Sequence, residues 1–188
     1  MATIKERLAE GIKDVEIHGD YAAFWGSIFS NFYPCNICID NRWFNCVEQY
    51  FMYEKAMRFK DTETAEKILE ETDPKKIKKL GREVKNYVDE EWSKVRYSIM
   101  LNGVYAKFSQ NPVCLLAILN EKFEGKSFVE GNPYDKIWSC GLDYRDSRIA
   151  KRTEWQGHNF LGIILDGVRS KLENEDFKYC HALFGSIG

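Results

Sequence analysis

The chain has 188 residues, of which 44% are hydrophobic and 30% charged, and its formal net charge at pH 7 is −2. These values are typical of one globular domain with a sizeable core, and they exclude a strong net field that would draw the protein to nucleic acid or to an anionic membrane. No apolar run reaches membrane-spanning length, and the N-terminus is too charged for a secretory signal. The six scattered cysteines suit a reducing compartment. We therefore expect a cytoplasmic protein.

The N-terminal part of the chain predicts a short helix, an ordered loop and a β-hairpin. A capping box formed by Thr3 and Glu6 predicts a helix over residues 4–13. Residues 30–34 are typical of an ordered loop, whose polar groups either cap a neighbouring helix or contact a ligand. Two β-prone runs separated by a polar pair predict a hairpin over residues 36–44.

The central helix, predicted over residues 46–59, carries charged residues on an apolar stripe. At helical spacing, one narrow face of this helix presents Glu48, Met52, Lys55 and Phe59. Burial of an unpaired carboxylate or ammonium is costly, so each charge must be paired or must border a polar cavity. Two interpretations follow, a buried structural Glu–Lys pair or a cavity in which both groups act on a sugar or a phosphate.

Three further helices are predicted in the middle of the chain. Asp61 and Asp73 are suitable N-caps, and a proline at the first helical position supports the second helix. The predicted spans are residues 63–71, residues 74–82 and, after a cap at Asp89, residues 90–108. The lysine-rich second helix is explained by a solvated face, with a basic rim beside a binding groove as the alternative.

The predicted helix over residues 90–108 also has charges on an apolar stripe. Helical spacing places on one face Trp92, Arg96, Ile99, Gly103 and Lys107. In one interpretation the basic head groups snorkel to solvent at the edges of this face. In the other the face forms a second wall of the cavity and offers an indole and two cations.

The C-terminal part of the chain predicts one strand, a loop of interest and several helices. The Gly/Pro-framed loop over residues 131–141 has Asp135 three residues before Trp138, which suits an active-site element. The other predictions are a core helix over 113–119, a strand over 126–130, a polar surface excursion over 143–154, a core helix over 163–169 and a short helix over 175–184.

Cysteine and histidine spacing gives no metal or cofactor site. Cys35 and Cys38 have the spacing of a metal or redox pair, but no second pair accompanies them at the spacing of a zinc site. The three histidines are scattered along the chain. We therefore expect neither a metal nor a cofactor.

Seven short motifs occur in an order that resembles the YbiA-like family, also called the NADAR domain, for NAD and ADP-ribose. They are Ser30–Pro34, Val47–Tyr50 with Lys55–Ala56, Leu80–Arg82, Trp92 with Arg96, Lys107–Pro112, Val129–Glu130 with Asp135 and Trp138, and Gly157–Gly162. The resemblance covers about residues 21–173. It implies an α+β fold that is predominantly α-helical, with a small β element, and a single domain over residues 1–188.

The resemblance implies an N-glycosidase, a hydrolase that cleaves the C1′–N bond of a phosphorylated ribosyl compound. The substrates linked to the family are ADP-ribosylated guanine and ribosylaminopyrimidine phosphates of riboflavin biosynthesis. The implied partner is a small nucleotide-like substrate, with ADP-ribosylated nucleic acid as the larger alternative and no membrane. A non-catalytic module that binds ADP-ribose is the competing interpretation.

The expected chemistry assigns a role to each candidate residue. Cleavage at C1′ generates an oxocarbenium-like centre, so a carboxylate is needed to stabilise charge or activate water. We predict Glu48 for this role and Asp135 as the second carboxylate. The predicted substrate-binding residues are Asn31, Lys55, Trp92, Arg96, Lys107 and Trp138.

One position departs from the pattern of the family. The family has Trp-Gly-x-Gly where this chain has serine at position 139, after Trp138. Serine adopts a positive φ less readily than glycine. We therefore expect a reshaped loop here, with an effect on the choice of substrate.

Overall fold

A computed structural model describes the backbone of residues 2–184 and the side chains of residues 2–174. The chain forms two compact units. The first comprises Met1–Trp25 and Leu115–Gly188, and the second comprises Gly26–Cys114. A single functional domain over residues 1–188 stays a prediction.

Helices dominate the described residues, and the strands are short. The helices are α1 (Ile4–Gly11), α2 (Val47–Arg58), α3 (Thr62–Glu70), α4 (Pro74–Arg82), α5 (Asp89–Ser93), α6 (Arg96–Gln110), α7 (Pro112–Ile118) and α8 (Phe160–Phe184). The strands are β1 (Val15–His18), β2 (Tyr21–Phe24), β3 (Ile37–Ile39), β4 (Arg42–Phe44) and β5 (Ser127–Glu130). This composition confirms the predicted α+β class with a predominance of helix. No helix among the described residues combines the length and the apolar character needed to cross a membrane.

The first unit is built on a three-stranded sheet in the order β1-β2-β5. Strand β1 is antiparallel to β2, with Val15 opposite Phe24, and β2 is parallel to β5, with Tyr21 opposite Ser127. One face of this sheet packs on a core of small and aliphatic side chains. These are Ala23, Val129, Cys140, Leu142 and Ile149.

Helix α8 is bonded directly to β5 by side chains near its N-terminus. Asn159, with φ of 53°, accepts a hydrogen bond from Glu130 N at 3.0 Å and donates one to Phe128 O at 3.0 Å. Asp166 accepts a hydrogen bond from Phe128 N at 3.0 Å. The helix therefore satisfies the backbone groups of β5 that β2 leaves open.

The second unit contains the β3–β4 hairpin, which confirms the hairpin predicted over residues 36–44. Asp40 and Asn41 form its two-residue turn with φ of 49° and 60°, the left-handed pair that tight hairpins require. The side chain of Gln110 on α6 bonds both backbone groups of Cys38, at 2.8 Å and 2.9 Å. These bonds fix the hairpin to α6.

Helix α2 is the centre of the second unit and packs against α3, α4 and α6. Gln49 is buried, and its amide group donates hydrogen bonds to the carbonyl groups of Ile68 and Glu71 at 2.9 Å. Two glycines permit close approach of the neighbouring helices. A Cβ atom at Gly81 would lie 1.9 Å from Met52 Sδ, and one at Gly103 would lie 2.8 Å from Tyr50 Cδ1.

Most predicted elements are confirmed to within about two residues, and four features of the structure differ from the prediction. Strands β1 and β2 were not predicted. The helix predicted over residues 90–108 is two helices, because Val95 N bonds Trp92 O at 3.1 Å and closes a tighter turn between them. The helices predicted over 163–169 and 175–184 are one helix, α8, in which Val168 and Leu172 are both buried one turn apart.

Candidate functional site

Glu48 lies in the first turn of α2 with only 4% of its surface exposed. Its N–H donates a hydrogen bond to Asn31 O at 3.0 Å. Its Oε1 atom is buried and accepts no hydrogen bond from the described residues, although the side chain does interact with its surroundings. A helix N-terminus favours a carboxylate, but its burial still carries a desolvation penalty. This position is therefore a candidate reaction centre.

The loop before the hairpin holds Asn31 against the start of α2. The side-chain oxygen of Ser27 accepts a hydrogen bond from Phe29 N, and that of Ser30 accepts one from Phe32 N, both at 3.2 Å. These local turns order the loop. Asn31 is 8% exposed, and its backbone carbonyl accepts the hydrogen bond from Glu48 N.

Lys55 lies two turns along the stripe from Glu48, and it is half-buried. Its ammonium group donates to Gly81 O at 2.7 Å and lies 4.0 Å from the ring centroid of Tyr87. Burial lowers the pKa of Lys55, while the carboxylates of Asp89 and Glu48 oppose that shift. The cation is thus held on the stripe, as the periodicity predicted.

The Tyr87 ring contacts Lys55, and sequence reasoning did not find it. Its hydroxyl donates to Asp89 Oδ1 at 2.6 Å and 40% of its surface is exposed. Burial raises the pKa of Tyr87 to about 12, Asp89 adds to that shift and Arg96 opposes it. The available signal in the sequence was an aromatic residue two positions before the predicted helix cap at Asp89. In the structure, the preceding Asn86 has a φ of 58°.

The stripe that suggested a second wall of the cavity is divided between two helices. Trp92 is on α5 and Arg96 begins α6, so the break between the helices separates them from a common helix face. Trp92 is 5% exposed and its ring centroid lies 4.9 Å from that of Phe51. The indole of Trp92 packs against α2 and does not offer an exposed surface for stacking.

Lys107 is in the interior of the protein, so the interpretation in which its head group snorkels to solvent is wrong. It is 1% exposed, and its ammonium group donates to Ser30 O at 2.8 Å. The centroids of the Tyr33 and Phe108 rings lie 5.3 Å and 5.1 Å from the same nitrogen. Burial lowers the pKa of Lys107.

The remaining two candidates, Asp135 and Trp138, belong to the first unit. Asp135 Oδ1 accepts hydrogen bonds from Ile137 N and Trp138 N, both at 2.9 Å. The carboxylate therefore orders the loop that carries Trp138. The Trp138 ring is partly buried and meets Phe160 edge-on, with the centroids 6.3 Å apart.

Ser139 shapes this loop through its hydroxyl group and not through its backbone. Gly141 has a positive φ of 78°, and Ser139 is not among the described residues with positive φ. The serine therefore does not have to adopt the conformation that would favour glycine. Its Oγ accepts a hydrogen bond from Asn132 N at 2.7 Å and donates to Glu130 O at 2.7 Å. The serine therefore joins the two ends of the loop.

The first unit also contains a cavity of about 500 Å³, which includes none of the predicted residues. Its lining combines acidic side chains with Arg169. The guanidinium group of Arg169 already donates to Phe123 O at 3.0 Å and to Lys126 O at 2.7 Å. In the part of the chain that the structure describes, no three histidine, cysteine or acidic residues are grouped to hold a metal ion.

Comparison with known proteins places the chain in a family. Protein irg-1 of Caenorhabditis elegans is 39% identical over 168 residues, which cover 80% of this chain and 78% of that protein. An N-glycosidase of Acanthamoeba polyphaga mimivirus is 36% identical over 149 residues, which cover 77% and 86% of the two chains. The NMR structure of the E. coli protein YbiA superposes with a TM-score of 0.67 at 23% identity, covering 90% of this chain and 95% of that one. The NADAR domain matches residues 23–173, and the chain belongs to the NADAR domain family.

Proposed function

We propose that this protein is an N-glycosidase, a hydrolase that cleaves the C1′–N bond of a phosphorylated ribosyl compound. The observation that carries the proposal is the Glu48 carboxylate, buried at the start of α2 beside Asn31 and on one stripe with Lys55. The mimivirus relative is named an N-glycosidase, which supports the same reaction class.

The chemistry of that reaction suits the residues of the second unit. Loss of the base leaves positive charge at C1′, which the Glu48 carboxylate stabilises while it activates the attacking water. The Asn31 amide group hydrogen-bonds the sugar or the leaving base. Lys55, which lies against the exposed Tyr87 ring, and Arg96, whose charge acts on the Tyr87 hydroxyl, supply positive charge for the phosphate.

The other candidates have less direct roles in this proposal. Trp92 packs on Phe51 and Lys107 binds the Ser30 carbonyl, so we assign neither of them a contact with substrate. The roles of Asp135 as second carboxylate and of Trp138 as stacking surface stay predictions from the family resemblance.

Helix α4 favours a nucleic-acid substrate over a free nucleotide. At helical spacing, one face carries Lys75, Lys78, Lys79 and Arg82. In the part of the chain with described side chains, none of these four has an acidic partner within 4.0 Å, whereas the neighbouring Lys76 and Lys85 do. Lys78 also lies 5.6 Å from the ring centroid of Phe32, the residue after Asn31. This row of cations suits the phosphates of ADP-ribosylated DNA or RNA.

Reversal of two charges on this face should impair the polymer substrate selectively. We expect the double variant Lys75→Glu/Lys79→Glu to lose about tenfold or more in kcat/KM for ADP-ribosylated DNA at low salt, because two phosphate contacts become repulsive. Activity on ADP-ribosylated guanosine alone should not change. The measurement is kcat/KM on both substrates across a salt series.

A matched control changes the net charge equally elsewhere. The control is the variant Lys5→Glu/Lys13→Glu, in which Lys5 lies in α1 and Lys13 follows it. This variant should retain wild-type activity on both substrates. Equal losses on the polymer and on the free nucleotide for the α4 variant would contradict the nucleic-acid substrate and favour a ribosylaminopyrimidine phosphate.

Product release tests the reaction class itself. The purified protein would be offered an ADP-ribosylated guanine substrate and a ribosylaminopyrimidine phosphate in parallel, and free base would be measured by chromatography. We expect release from one of them. If neither yields free base and ADP-ribose binds tightly in calorimetry, the protein is a nucleotide-binding module instead.

A further inference from the structure

Lys107 is a buried cation that the proposed chemistry does not use. It is 1% exposed on α6, and the Tyr33 and Phe108 rings lie within about 5.3 Å of its ammonium group. A methionine would fill the same volume without the desolvation penalty of an ammonium group. Packing alone therefore does not account for a lysine at this position.

Two of the thiols that act on Lys107 do not supply a compensating negative charge. The thiols of Cys35, Cys46 and Cys114 act on its ionisation. Burial raises the pKa of Cys35, and it raises that of Cys46 to about 12. Because these two thiols remain protonated at neutral pH, they do not form an ion pair with the ammonium group. What distinguishes a lysine here is its hydrogen bond to Ser30 O at 2.8 Å.

That hydrogen bond is one residue away from the start of α2. The carbonyl of Ser30 accepts from Lys107, and the next carbonyl, that of Asn31, accepts from Glu48 N at 3.0 Å. The Ser30-Asn31 segment is therefore held on one side by α6 and on the other by the first turn of α2. Displacement of this segment would move the Asn31 side chain and release the Glu48 amide group.

We propose that Lys107 is a positioning residue, which holds the Ser30-Asn31 segment and thereby places Asn31 and Glu48 for reaction without touching the substrate. This inference rests on the proposed function for its kinetic consequences. Its structural consequence, an ordered Glu48 amide, is independent of any reaction.

The kinetic test compares Lys107→Met with Lys107→Arg. We expect Lys107→Met to lower kcat by about 10- to 100-fold, the size of effect that a small misplacement of reacting groups produces, with KM unchanged. The loss should be the same on a phosphorylated ribosyl substrate and on its dephosphorylated form. Lys107→Arg, which retains a donor for Ser30 O, should recover part of kcat.

Two kinetic results would overturn the proposal. If Lys107 bound phosphate directly, Lys107→Met would raise KM for the phosphorylated substrate and leave the dephosphorylated one unaffected. If Lys107→Met retained wild-type kcat, the position of the Ser30-Asn31 segment would not depend on the lysine. Urea unfolding of the same variant, expected at a wild-type or higher midpoint, shows that any loss is not a loss of folding.

Amide hydrogen exchange tests the inference even where no substrate is cleaved. In Lys107→Met, the Glu48 amide should exchange faster than in the wild type, because the segment that carries its acceptor on Asn31 loses its bond to α6. The control is the amide of Ala65 on α3, which donates to the carbonyl of the N-cap residue Asp61 at 3.0 Å. Its exchange rate should not change. Wild-type protection of Glu48 in the variant would overturn the positioning role, whereas a wild type that releases no base would overturn only the proposed function.

Discussion

Replacement of Glu48 by glutamine is expected to lower kcat by about 10²- to 10⁴-fold, the range that a positioned acid–base group contributes. Glutamine preserves the shape of the side chain but neither stabilises an oxocarbenium-like centre nor takes a proton from water. Substrate affinity should change little, because the sugar and phosphate contacts proposed for Asn31 and Lys55 remain. Single-turnover release of free base, with binding measured by calorimetry, separates these two effects.

The Glu48→Gln variant also distinguishes a catalytic role of Glu48 from a structural one. A carboxylate with 4% exposure is desolvated, and its replacement by a neutral side chain of the same shape is expected to leave the free energy of unfolding unchanged or to raise it. If Glu48 were instead one half of a buried structural ion pair, Glu48→Gln would retain turnover and lose about 3 kcal/mol or more of stability. Urea denaturation beside the activity assay distinguishes the two.

Glu54 provides a control on the same helix. It is half-buried on α2, and burial raises its pKa, with Asp40 adding to the shift. It does not lie on the stripe that contains Glu48 and Lys55. Glu54→Gln should therefore keep wild-type kcat, and an equal loss in both variants would mean that neutralisation of any acidic group on α2 disturbs the enzyme.

Local chemistry explains which elements were predicted correctly. The capping box of Thr3 and Glu6 begins α1, and Asp73 followed by proline begins α4, as expected. In each case the deciding hydrogen bond joins residues at most three positions apart. The division of the 90–108 region into α5 and α6 follows no such signal, because no glycine or proline marks the junction.

The candidate site was predictable only along a single helix. Periodicity placed Glu48 and Lys55 on one stripe of α2, and both are held there in the structure. The partner of Lys107, the Ser30 carbonyl, lies 77 residues away along the chain and follows from tertiary packing alone. Tyr87 was missed for the same reason, since its contact with Lys55 joins α2 to the segment that precedes α5.

The hydrogen bonds of Ser139 could not be predicted from its residue type. Serine adopts a positive φ less readily than glycine, and a reshaped loop was therefore expected at this position. Ser139 instead uses its hydroxyl to bind the backbone of Glu130 and Asn132. A residue type indicates which conformations are easy, but the hydrogen bonds that a substituted side chain forms depend on its neighbours.

Gly162→Ala is expected to destabilise the first unit strongly. A Cβ atom at this position would lie 2.0 Å from Phe128 O, a backbone atom of β5, and 2.3 Å from Asn159 Nδ2. Both atoms belong to the hydrogen bond that joins the start of α8 to the sheet, so neither can move without breaking it. We expect a loss of about 3 kcal/mol in the free energy of unfolding, at the upper end for overpacking.

Gly167→Ala on the same helix is the matched control. Nothing lies within 4 Å of a Cβ atom there, and alanine is favoured over glycine in a helix by about 0.5–1 kcal/mol. Urea unfolding should therefore show opposite shifts for the two variants. If Gly162→Ala were as stable as Gly167→Ala, the helix would not contact β5 this closely, and Asn159 would not be the residue that joins them.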